Sequence, residues 1–121
     1  MGEVMPKQNL IVDKSFSFAL KVVQLYKHLT KDACEYVLSK QLLRSGTSIG
    51  ANVNEAIDAQ SKADFIHKMS IALKEARETN YWLNLLLESG YTVKTDSLLE
   101  DSTELIRIIT AIVKSSKETN H

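Results

Sequence analysis

The chain reads as an all-α protein, an antiparallel up-down-up-down four-helix bundle. Apolar residues recur at three- and four-residue steps along four segments, the only breakers are one proline and four glycines, and the connections between segments are short. With 121 residues there is room for one domain of ordinary size, residues 1–121, and for no second one. Helices are expected at about 13–29, 33–59, 62–89 and 96–116.

In the first segment Asp13 is a plausible N-cap, and Phe16, Ala19, Leu20, Val23 and Tyr26 form the expected core face. The second is expected to bury Leu38, Leu42, Ser45, Ile49, Val53 and Ala56, whose steps suit a bundle seam. Ser61 followed by Asp64 has the spacing of a capping box and opens the third helix, with Phe65, Met69, Ala72, Leu73, Ala76, Leu83 and Leu87 inward. Gly90 stands where a left-handed C-cap belongs. Asp96 is placed to cap the fourth helix, which buries Leu98, Leu105, Ile109, Ile112 and Val113.

Apolar residues exceed what one such bundle should hide. Phe18, Val22, Leu25 and Leu29 make a second line on the first helix, and Ile71, Trp82, Leu85 and Leu86 another on the third. Gly46 and Gly50 lie one turn apart on the second helix, where each costs about 1 kcal/mol relative to alanine, so close approach of another backbone is expected there. A wide apolar surface commonly marks a partner, and identical chains are the commonest one. The expected state is a homo-oligomer, with Phe18, Val22, Leu25, Gly46, Gly50, Ile71, Trp82 and Leu86 as candidate interface residues.

The formal net charge is zero, which removes the simplest argument for a nucleic-acid partner. The charges are nevertheless uneven, basic toward the start of the chain and acidic toward its end. A stripe of Lys14, Lys21, Lys27 and Lys31 is the candidate contact for RNA or a nucleoprotein, against an ordinary solvated face, and the alternative function is a protein-interaction adaptor or scaffold without direct nucleic-acid binding. Neither a signal-peptide core nor a stretch of the roughly 20 apolar residues needed to span a bilayer is present, so no membrane partner and a cytoplasmic location are expected.

No constellation for catalysis emerges, and no enzyme activity or cofactor is expected. Cys34 is alone, and there is no nucleophile elbow or glycine-rich phosphate loop. Asp64 with His67, and Glu118 with His121, have the acid-then-histidine spacing of di-iron bundles. One pair begins in a capping turn and the other ends the chain, so neither suits a buried metal. The polar line Gln41, Arg44, Ser48, Asn52 and Glu55 is better read as cross-linking helices or chains, with Arg44 and Glu55 finding opposite charge on the third helix or a neighbouring subunit.

The run Arg44-Ser45-Gly46-Thr47-Ser48-Ile49-Gly50-Ala51-Asn52-Val53-Asn54-Glu55-Ala56, followed by Ser61, Asp64-Phe65 and Ile71-Ala72-Leu73-Lys74-Glu75-Ala76, resembles the four-helix-bundle family of 23S ribosomal RNA intervening-sequence proteins. The family pattern falls here on Arg44, Ser48, Asn52, Glu55 and Glu75, as structural or interface residues without a catalytic role. The resemblance implies a bundle assembling as a ring, typically a homopentamer. It extends to the accessory variability proteins of diversity-generating retroelements, which implies a reverse transcriptase or RNA as a partner.

Overall fold

The computed structural model describes residues 6–92 and 95–118, which form four helices and no strand. They are α1 (Pro6–Lys31), α2 (Leu38–Ile57), α3 (Lys62–Glu88) and α4 (Thr95–Glu118). Each helix packs on the next in sequence and α4 returns to pack on α1, while the backbones of the diagonal pairs α1/α3 and α2/α4 stay apart among the described residues. This is the predicted up-down-up-down bundle, with α2–α3 its most extensive seam and α1–α4 its least.

The seams of α2 and α4 are close to the expected ones. Leu42, Ser45, Ile49, Val53 and Ala56 are buried on α2, and Leu98, Leu105, Ile109, Ile112 and Val113 on α4. The first helix requires a correction. Its core line is Ile11, Ser15, Phe18, Val22, Leu25 and Leu29, whereas Phe16 and Leu20, assigned inward by sequence, are 60% and 52% exposed. On α3, Leu86 is buried with Met69, Ala72, Ala76, Thr79 and Leu83, while Phe65, Leu73 and Leu87 are only half-buried.

Phe18, Val22, Leu25 and Leu86 therefore belong to the subunit's own core and have no surface to offer another copy. Gly46 and Gly50 do mark a close approach, but of α1 within the same chain. A Cβ on Gly46 would sit 2.9 Å from both Val22 methyl carbons, and one on Gly50 would sit 3.4 Å from the Ser15 carbonyl oxygen. A valine in a helix has one strongly preferred rotamer and cannot swing aside. Gly46→Ala should therefore destabilise the bundle by about 1–3 kcal/mol through overpacking, despite a gain of about 1 kcal/mol in helix propensity. In a Val22→Ala background the same change should become neutral or stabilising. Thermal melts of the four proteins in this double-mutant cycle check both signs.

The first helix begins at Pro6, so Asp13 lies inside it and is not its N-cap, and the ends of the other helices account for the remaining differences in boundary. Ser61 Oγ accepts from the Asp64 backbone N–H at 3.0 Å, the first half of the expected capping box. Gly90 has φ of 98° and closes α3 with a Schellman pair, Tyr91 N–H to Leu86 carbonyl at 2.9 Å and Gly90 N–H to Leu87 carbonyl at 3.1 Å. Asp96 falls inside the first turn of α4, where its carboxylate accepts from the Ser97 N–H at 2.9 Å, so it is not the residue preceding the helix.

The second helix starts at Leu38, not near Ala33, because Cys34 adopts a left-handed conformation (φ 55°) and Glu35 caps the first turn of α2. The Glu35 carboxylate accepts from the backbone N–H groups of Val37, Leu38 and Ser39 at 3.1, 2.9 and 2.6 Å. Burial pushes this carboxyl up, but the hydrogen bonds from Leu38, Ser39 and Val37 outweigh it and hold its pKa below the usual 4.5. A depressed carboxylate contributes stability that is complete above its unfolded pKa and is lost as pH falls through the lower folded value. Glu35→Ala should thus cost about 0.5–2 kcal/mol at neutral pH, as loss of a helix cap does. The gap from wild type should close as pH drops below the ordinary carboxylate range, which denaturant titrations at neutral and acid pH would read directly.

Candidate interaction surface

Two surfaces collect the residues singled out by sequence. The first is the seam between α1 and α4. Lys14 Nζ lies 3.1 Å from Glu104 Oε1, and Lys21 Nζ lies 2.8 Å from Asp101 Oδ2, across a groove that Asp13, Ser17, Phe18 and Leu105 also line. The basic first helix and the acidic last helix become neighbours because the first and last helices of an up-down bundle are adjacent. The lysine stripe consequently does not survive as one face. At 100° per residue, Lys27 and Lys31 lie about 140° and about 100° around the helix from Lys14. Both are exposed and carry no ion pair among the described residues, and the two lysines nearer the start of α1 are already neutralised.

The second surface runs along the outside of the α2–α3 seam and gathers the motif residues. Arg44 is half-exposed, with Nη1 3.3 Å from Glu75 Oε1, Nη2 ion-paired to Glu78 Oε2, and further hydrogen bonds to Gln41. Glu78 Oε2 also accepts from the Trp82 indole N–H at 2.9 Å. Farther along, Lys68 Nζ lies 2.9 Å from Glu55 Oε1. The opposite charges expected for Arg44 and Glu55 are thus both supplied by α3 of the same chain.

Ser48 and Asn52 turn back on their own helix. Ser48 Oγ donates to the Arg44 carbonyl at 2.7 Å, and Asn52 Nδ2 to the Ser48 carbonyl at 2.9 Å. Behind this band, the fully buried Thr79 and Ser45 hydroxyls stand 2.9 Å apart, and Thr79 donates to the Glu75 carbonyl at 2.7 Å. Buried hydroxyls need such partners, and every buried side-chain polar atom among the described residues has one. Ile71 and Trp82 are half-buried on α3, and Tyr81 beside Trp82 is 59% exposed, its ring edge-on to the indole at 5.0 Å.

Glu78 and Lys68 complete networks that sequence reasoning had only half assembled. Their signal was available, since they stand on the face of α3 that flanks the seam, and Gln41, already part of the polar line on α2, bonds Arg44 as well. No group of three or more histidine, cysteine or acidic side chains is placed to hold a metal among the described residues. Asp64 is engaged in the capping turn and His67 is exposed, while His121 lies outside the described residues. No helix of the described residues is long and apolar enough to cross a membrane.

Ion-paired helix seams around a buried apolar core, with apolar side chains left on the outer faces, define an all-α four-helix bundle. Residues 7–111 match the 23S rRNA-intervening sequence proteins, and the chain belongs to that family. A solved structure from Bacteroides thetaiotaomicron VPI-5482, described as a protein of unknown function from the S23 ribosomal protein family, is 53% identical with a TM-score of 0.87. The similarity covers 89% of this chain and 98% of that one. No curated protein matches the chain.

Proposed function

We infer that the protein is a non-enzymatic, self-associating helical scaffold whose partner is met through protein surface. The observation that carries this reading is the outer face of α1, where Phe16 and Leu20 are 60% and 52% exposed and the half-buried Val12, Ala19 and Val23 adjoin them. A soluble helix with one apolar line in the core and a second facing outward leaves surface that association removes from water at about 25 cal/mol per Å². The corrected phase of α1 exchanges the residues on that surface but keeps the surplus. Cytoplasmic location and a closed ring, five-membered as the resemblance implies, accompany this reading as expectations for the assembled protein.

Direct RNA binding is the less favoured reading, because Lys14 and Lys21 are occupied by Glu104 and Asp101. If the partner is a nucleoprotein, such as a reverse transcriptase complex, the contact then falls to its protein component. Light scattering on the eluting protein and gel shift with ribosomal RNA fragments test both halves. A mass of several chains and no retardation at about 50 mM salt, where phosphate contacts are strongest, are the expected results. Retardation that fades steeply with salt would restore the RNA reading, and a single-chain mass would remove self-association.

A further inference from the structure

We propose that copies of this chain join head to tail, the outer face of α1 in one copy docking in parallel on the outer face of α3 in the next, centred on Leu20 against Tyr81. This rests on the self-association reading and adds to it which surfaces meet.

Two observations lead to the pairing. The helices α1 and α3 stand diagonally across the bundle, so their outer faces look away from each other, and each exposes a large apolar side chain, Leu20 at 52% and Tyr81 at 59%. A two-fold contact through either face alone would leave the other in water, whereas a head-to-tail contact covers one of each at every junction and closes into a ring where the rotation permits.

Charge then sets the direction. Asp13 and Lys27 stand seven residues before and after Leu20, and Lys74 and Glu88 stand seven before and after Tyr81. Seven residues are nearly two turns, so each trio falls on one line with charges about 10.5 Å to either side of its centre. All four charged residues are exposed and none has an ion pair among the described residues.

The order along α1 is acid, Leu20, base, and along α3 it is base, Tyr81, acid. Parallel docking therefore sets Asp13 against Lys74 and Lys27 against Glu88, whereas antiparallel docking would set like charges together and be disfavoured. In an up-down-up-down bundle α1 and α3 already run the same way, so copies related by rotation about an axis along the bundle meet in this parallel sense.

The test uses two full-length variants, Leu20→Glu and Tyr81→Glu, each altered on one face at an exposed site, with circular dichroism melts to verify folding. Each alone should sediment as a single chain, and an equimolar mixture should give a species of two chains and nothing larger, because one intact α1 face meets one intact α3 face. As a milder check, Lys27→Glu should lose assembled protein and Lys27→Glu with Glu88→Lys should regain it. Wild type above one chain with a mixture that stays monomeric would overturn the head-to-tail pairing. So would a single variant that keeps the wild-type mass, or that forms a dimer by itself. A wild type of one chain would instead overturn the self-association on which the pairing rests.

Discussion

Phe18→Ala should destabilise the bundle by about 3–5 kcal/mol, the range for removing a buried aromatic ring from a packed core. Phe16→Ala, two residues away on the same helix, should change stability by no more than about 0.5 kcal/mol. Phe18 is 2% exposed in a line that runs from Ile11 to Leu29, while Phe16 is 60% exposed on the opposite side. Truncating Phe18 removes a ring from between α1 and its neighbours, and helices fixed by Gly46 against Val22 cannot slide to fill the void. Urea denaturation of the two variants at concentrations low enough to keep each monomeric compares them free of assembly effects. Similar losses in both would mean that α1 is rotated from the phase described.

The second large effect concerns assembly. Leu20→Glu should abolish self-association at micromolar protein while leaving the melting temperature of the subunit nearly unchanged. A carboxylate on an exposed site costs the isolated bundle little, yet inside a contact it must be stripped of water without a partner, at several kcal/mol. Hot-spot truncations of about 2–4 kcal/mol already shift dissociation by about thirty- to a thousandfold, and a buried charge does at least as much. Chromatography over a dilution series reads the shift, and a variant that assembles like wild type would show that this face lies outside the contact.

The fold was legible because α2 and α4 have a single apolar face each. Steps from Leu42 through Ser45, Ile49 and Val53 to Ala56 leave one consistent phase. The first helix was harder because both of its faces are apolar. Its true seam alternates steps of four and three from Ile11, through the small polar Ser15, to Leu29. Starting the helix at Asp13 cuts off Ile11, and Ser15 does not look like core until Gly50 is seen to need a small neighbour there. The same effect hid Thr79, whose buried hydroxyl interrupts the apolar run on α3 but is matched by Ser45.

The candidate surfaces were legible in part. Arg44 and Glu55 were expected to find opposite charge, and α3 supplies it through Glu75, Glu78 and Lys68. The lysine stripe is divided, its first two members drawn to α4 for a topological reason. Sequence showed a basic start and an acidic end, but only the adjacency of α1 and α4 turns that asymmetry into the pairs Lys14–Glu104 and Lys21–Asp101. The left-handed Cys34 had no signal of its own, since nothing about a cysteine announces a break between two helices.

The scaffold reading stands most directly on the mass of the unmodified chain in solution. Sedimentation velocity at micromolar concentration and physiological salt should show a discrete species of several chains, stable on moderate dilution. One sharp boundary at the mass of a single chain across that range would contradict it.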